Sequence, residues 1–231
     1  MVMPTTKHPR LIPYQTLRQA IGWLGILLPA AMIIGNWFMH NCTTVQSSIS
    51  HYYYTITGQW LVGILCAVAM FLISYRGYEL KDNITSSIAG FTAIAIAFFP
   101  TNTATMVPEK IIMNECLLFS LRENGLRNTV HYAGACLFFF SLAYMSLFLF
   151  TKSNGVKTKE KITRNKVFIS CGIIILLSIL LVGLYGFFGE GTGLKKYKPV
   201  FWLEWIALFA FGISWLVKGE IVLKDDSLDK K

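Results

Sequence analysis

The residues most able to do chemistry fall in and around one short stretch, Ser47 to Trp60, SSISHYYYTITGQW. It contains no Lys or Arg and sits between two long apolar runs. In a helical conformation Ser47, Ser50, His51 and Tyr54 share one face, at offsets 0, 3, 4 and 7. Tyr52 and Tyr53 then point elsewhere, as interfacial tyrosines do. His131 opens a later apolar run and Glu204 comes one turn into the last one. A carboxylate inside hydrocarbon costs roughly 2.5–3.5 kcal/mol on insertion scales, so it usually faces a wet cavity or a partner.

Three chemistries suit this set. Ser50 or Ser47 with a histidine and Glu204 can form a hydrolase, the histidine activating the hydroxyl and the carboxylate orienting the ring. His40, His51 and His131 can hold Zn²⁺ with an open fourth position. His51, His131 and Glu204 can instead bind a polar lipid headgroup or relay a proton. The plainer alternative is that each polar group caps a helix or hydrogen-bonds at the interface.

The elements that must position these residues are hydrophobic. The chain of 231 residues is 54% hydrophobic and only 14% charged, with a mean hydropathy of +0.53. Soluble domains carry about 25% charged residues, so the composition is that of a membrane protein. The pattern predicts an all-α, polytopic chain with spans at about 19–38, 58–75, 84–99, 130–150, 167–188 and 199–217. Residues 1–18 and 218–231 are then tails. The alternating ten-residue pattern of a membrane strand is absent from the sequence. A positively charged start before an apolar run also fits a signal peptide. The run is long and no small-x-small cleavage pattern follows it, so the first helix is expected to be retained, kinked at Pro29.

Six spans divide the 21 Lys and Arg residues into 15 on the side of the tails and 6 on the other. By the positive-inside rule both termini are cytoplasmic, and the 47–60 segment lies outside. The formal charge of +9 resides in short loops rather than on one polar face, which argues for membrane topology and against nucleic acid. Trp37, Trp60, Tyr132, Trp202 and Trp205 fall near one level and read as an aromatic belt.

Cys66, Cys136 and Cys171 lie within spans as small apolar residues. Cys42 and Cys116 fall in outer loops, where an oxidising compartment allows a disulfide between them. No CxxC or HExxH spacing is present. Tyr54, Arg76 and Trp202 are candidate ligand contacts. Arg76 can pair with Glu79, Asp82 or a lipid phosphate, or simply snorkel. The basic loop from Lys152 to Lys166 reads as a topology anchor with affinity for anionic lipid. GEGTGLKK (Gly189 to Lys196) lacks the GK[ST] ending of a phosphate loop and is expected to be a turn. Small residues spaced by four (Gly63 and Ala67, Ser86 and Gly90, Ala93 and Ala97) predict that the second and third helices pack closely at the centre, with the last three facing lipid more. The apolar stretch IIMNECLLFSL is suited to lying on the membrane or covering the pocket. Membrane lipids are the expected partners, with no resident cofactor beyond the zinc option.

The segments SISHYYYT, SYRGYE, AGFTAIAIAFFPT, HYAGACLFFFSLAYMSLFLF and FWLEWIALFAFGISWLVKG together resemble a family of bacterial six-helix membrane proteins of unknown function, over about residues 14–219. A more remote similarity is to the DRAM-like lipid-remodelling proteins and to the CREST group of transmembrane hydrolases. The latter implies a Ser, an Asp and three His on the helices. Ser50, His51 and His131 match parts of it, but no Asp lies within a predicted span and no HxxxH occurs, which counts against metal-dependent hydrolysis.

Overall fold

The computed structural model describes residues 13–102, 116–153, 158–189 and 192–223. Among these, six α-helices follow one another: α1 (Tyr14–His40), α2 (Gly58–Ser74), α3 (Leu80–Phe98), α4 (Gly125–Tyr144), α5 (Lys159–Phe188) and α6 (Pro199–Lys218). A 3₁₀ turn, Ser50–Tyr54, precedes α2, a π segment, Met145–Leu149, prolongs α4, and a second 3₁₀ turn, Gly193–Tyr197, leads into α6. The described residues form no strand.

Four of these helices are long and apolar enough to cross a membrane: α1, α4 with its π extension, α5 and α6. α2 is apolar but has only 17 residues. At 1.5 Å per residue it reaches about 26 Å, just short of a typical hydrocarbon core. α3 carries Lys81, Asp82 and Asn83 in its first turn. It starts earlier than its apolar run because Glu79 and Asp82 form a reciprocal capping box. Asn124 and Thr158 accept from the backbone N–H groups of Arg127 and Lys161 and so open α4 and α5. α1 continues through Pro29 to a left-handed Asn41 cap.

Each helix packs on its sequence neighbours, and α6 returns to pack on α1, closing a ring. The closure depends on a glycine pair. A Cβ on Gly22 would lie 2.8 Å from the carbonyl oxygen of Gly212, and one on Gly212 would lie 2.6 Å from that of Gly22. The two backbones thus approach as only glycine permits. On α3, Gly90 lets the helix approach Ala69 and Ile73 of α2, with Ala89, Ala93 and Ala97 buried beside it. Gly63 departs from the expected stripe, since it is exposed and nothing lies within 4 Å of its Cβ position.

The ring also corrects the expected division between central and lipid-facing helices. Half of the apolar window of α6 is buried, against 28% for α5, so α5 is the helix that most faces outward. Trp215 explains the burial of α6: it is 1% exposed and packs edge-on against Tyr75 and Phe150. Both described ends of the chain lie at this end of the bundle, where Gln15 donates to Glu220.

Candidate functional site

The opposite end is closed by residues 41–57. A disulfide joins Cys42 to Cys116, with Cα atoms 6.1 Å apart. Two residues beyond Cys116, the N–H of Leu118 donates to the carbonyl of Tyr54 at 2.8 Å. The Tyr54 hydroxyl donates to the carbonyl of Thr101 at 2.6 Å. Lys198, at the start of α6, donates to the carbonyl of Val45. The part of the covering stretch before Cys116 lies outside the described residues.

Within this cover, Tyr52 departs from the interfacial position expected of it. Its side chain is fully buried against Phe201, and its hydroxyl accepts from the N–H of Gln46. Burial pushes its phenol up to about 12, against the lowering effect of the Gln46 N–H. Burial also raises Tyr54, opposed by the charge of Arg127. Tyr53 is partly exposed and stacks edge-on with Tyr54 and Phe119. The rings at 52–54 are therefore mainly the hydrophobic seal of the turn.

The 3₁₀ turn aims Ser50 into the bundle. Its Oγ lies 3.0 Å from Nε2 of His131 on α4. Nδ1 of His131 lies 2.7 Å from the carbonyl oxygen of Phe99, at the C-cap of α3. A carbonyl only accepts, so Nδ1 carries the proton, and in the neutral ring Nε2 accepts from the Ser50 hydroxyl. One residue earlier, the backbone N–H of Ile49 donates to Oε2 of Glu204 on α6 at 2.6 Å. A single turn therefore ties together α3, α4 and α6 through adjacent residues.

Ser50 and Glu204 both line a cavity of about 50 Å³ between α1, α2, α4 and α6. Leu28, Leu61, Leu65, Phe138 and Leu208 make its walls apolar, and Tyr53 and Pro100 also line it. A cavity of this size holds a few water molecules or a small polar group.

The remaining expected site residues lie apart from this cavity. His51 turns toward Ser47 and Ser48, its Nδ1 lying 2.5 and 3.2 Å from their hydroxyls. His40 ends α1 on the surface. Among the described residues no three His, Cys, Asp or Glu side chains come close enough to hold a metal ion. Trp202 stacks on Trp205, with ring centroids 5.5 Å apart, and lines a separate groove of about 430 Å³ between α5 and α6. Arg76 is at the other end, where its backbone N–H donates to the Tyr14 hydroxyl. There Lys152 forms ion pairs that were one option for Arg76, at 2.9 Å to Glu79 and 3.7 Å to Asp82.

Two participants were not anticipated from residue types: the Phe99 carbonyl and the Ile49 N–H. Phe99 left a signal, because the carbonyls of a helix C-terminus lack intrahelical partners and Pro100 stops the helix there. Comparison with known proteins adds no relative: no protein-family model, no curated protein and no solved structure matches the chain.

Proposed function

We propose that the chain is a multi-pass protein of a cell membrane, spanning it six times with both termini cytoplasmic. Its role in this reading is to bind or move a small amphiphile through the pocket lined by Ser50 and Glu204, with His131 held against Ser50. The placement of both described chain ends on one side supports an even number of crossings. The disulfide at the far end suits an oxidising exterior. Exposed Trp37, Trp60, Tyr132 and Trp202 suit a membrane interface at that same level.

The observation that carries the binding role is the cavity itself, which Ser50 and Glu204 line together with mainly apolar side chains. That is the division an amphiphile presents, a polar head for Ser50 and Glu204 and a hydrocarbon part for Leu28, Leu61, Leu65 and Leu208. About 50 Å³ is too small for a chain, so entry requires the Ile49–Ser50 turn to move away from Glu204.

The Ser50–His131 contact favours a second reading, a membrane-embedded hydrolase. The weakness of that reading is the third partner. The Phe99 carbonyl holds the correct tautomer but carries no negative charge to stabilise the imidazolium that forms when serine is deprotonated.

Lipid extraction and mass spectrometry of the purified full-length chain separate the two. An amphiphile that copurifies with the wild type, and is lost in Glu204→Ala with Ser50→Ala retaining it in part, supports binding. Covalent labelling of the wild type by a fluorophosphonate probe, absent in Ser50→Ala, transfers the assignment to the hydrolase. Neither ligand nor label sinks both.

A further inference from the structure

The cavity beneath the Ile49–Ser50 turn has a definite hydrogen-bond polarity. Among the described residues, Glu204 is the one charged side chain that lines it, and no Lys, Arg or His does. Oε2 of Glu204 accepts from the Ile49 N–H, while Oε1 makes no hydrogen bond or ion pair with a described residue. Lys198, at the start of the same helix, donates to the carbonyl of Val45 and forms no ion pair with Glu204. A carboxylate in apolar surroundings is costly until a positive charge meets it.

Ser50 has the same polarity. Its hydroxyl proton goes to Nε2 of His131 at 3.0 Å, because Nδ1 of that ring donates to the Phe99 carbonyl. What Oγ has left is lone pairs, which only accept. The Tyr53 hydroxyl, the third polar side-chain group of the lining, can donate or accept. A phosphate or carboxylate head would therefore meet a second negative charge, and acceptors where it needs donors. A protonated amine is the complement: one positive charge, three N–H donors and no acceptor. Tyr53, Phe138 and Phe139 add aromatic rings to the lining, a composition that suits a cation. The two oxygens of Glu204 Oε1 and Ser50 Oγ are few for Ca²⁺ or Mg²⁺, which take six or more.

We propose that the pocket selects an amphiphile whose head is a protonated amine, with its N–H groups donating to Oε1 of Glu204 and Oγ of Ser50. This rests on the amphiphile-binding reading above and names the head that the site takes. The amine and the Ile49 N–H use different oxygens of one carboxylate, so the anchor of the turn can re-form over the bound head. The hydrocarbon part then lies against the leucines of the lining.

The test uses the full-length chain in a non-ionic detergent at neutral pH, with three probes that share one tail: dodecylamine, dodecyltrimethylammonium and dodecanoate. Native mass spectrometry follows binding of each. The amine is expected to bind the wild type about tenfold more tightly than dodecanoate, which carries the wrong charge, and than the trimethylammonium, which has no N–H. Glu204→Gln keeps an acceptor for Ile49 but loses the charge, and should weaken the amine about tenfold. Ser50→Ala should weaken it about threefold to fivefold. Glu220→Gln, at the other end of the bundle, should leave it unchanged. Thermal melting of each variant screens out unfolded protein. Dodecanoate as the preferred probe, with its binding reduced in Ser50→Ala, would overturn the amine head and leave the amphiphile reading standing. Equal binding of the amine and the trimethylammonium would overturn recognition through N–H groups. Amine binding that is the same in the wild type, Glu204→Gln and Ser50→Ala would reduce it to partition into detergent and remove the site. Binding of none of the three would sink the amphiphile reading together with the amine.

Discussion

Glu204 and Ile49 are 155 positions apart in the chain, yet Oε2 of one accepts the backbone N–H of the other at 2.6 Å. This bond holds the turn carrying Ser50 over its cavity and couples the turn to α6. Glu204→Gln retains an acceptor of the same shape, so it should preserve the turn. Glu204→Ala leaves the buried Ile49 N–H without its partner and should destabilise the protein by about 1–3 kcal/mol, the cost of an unsatisfied buried donor. Thermal unfolding of both variants in one detergent measures the difference. Equal melting of Ala and Gln variants would show that the bond does not secure the turn.

The Cys42–Cys116 bond closes a loop over a sequence separation of 74. On the chain-entropy model a loop of that size contributes about 4 kcal/mol. Reductant, or Cys42→Ser, should therefore lower the melting temperature and loosen the contact between Leu118 and Tyr54. Alkylation of the denatured chain without reductant should modify Cys66, Cys136 and Cys171 and spare Cys42 and Cys116. Modification of all five cysteines without reductant would count against the bond.

The glycine contacts separate two positions that look alike in sequence. Gly22→Leu drives a side chain into Gly212 and Leu216, an overpacking that typically costs about 1–3 kcal/mol or more. Gly63→Ala meets open space and removes a helix-interior glycine, so it should be neutral or stabilising by up to about 1 kcal/mol. Melting temperatures of the two variants, measured side by side, should move in opposite directions or leave Gly63→Ala unchanged. A harmful Gly63→Ala would require a helix contact at that face.

These cases show why the helices were more legible than their packing. The extents of α2 and α6 follow from apolar runs bounded by Gly58 and Pro199, a local signal. Which small residues meet another helix is not local. Gly63 and Ala67 have the favoured spacing, but the contact that closes the ring uses Gly22 and Gly212, separated by most of the chain. The site behaves likewise. Ser50, His131 and Glu204 stand out by residue type, and they do gather at one end of the bundle. Their partners are backbone groups of Phe99 and Ile49, which no residue type can announce. Tyr52 is buried rather than interfacial because helical offsets across a short turn do not tell which ring Phe201 will cover.

That burial gives a pH dependence with a definite sign. The Tyr52 phenol rises from 10.0 to about 12 because desolvation penalises the phenolate. A phenol raised in the folded state is neutral in both states below pH 10, so stability is level there. Between about pH 10 and 12 the unfolded chain loses its proton while the folded chain keeps it, and stability falls by up to roughly 2–3 kcal/mol. Tyr52→Phe removes this term while retaining most of the packing on Phe201. It should therefore shift the alkaline unfolding midpoint upward relative to the wild type, even if its stability at neutral pH is slightly reduced by loss of the Gln46 contact. Tyrosinate absorbance during an alkaline titration provides the direct measurement: one fewer late-titrating phenol in the variant. An unchanged late phase would place Tyr52 in contact with water.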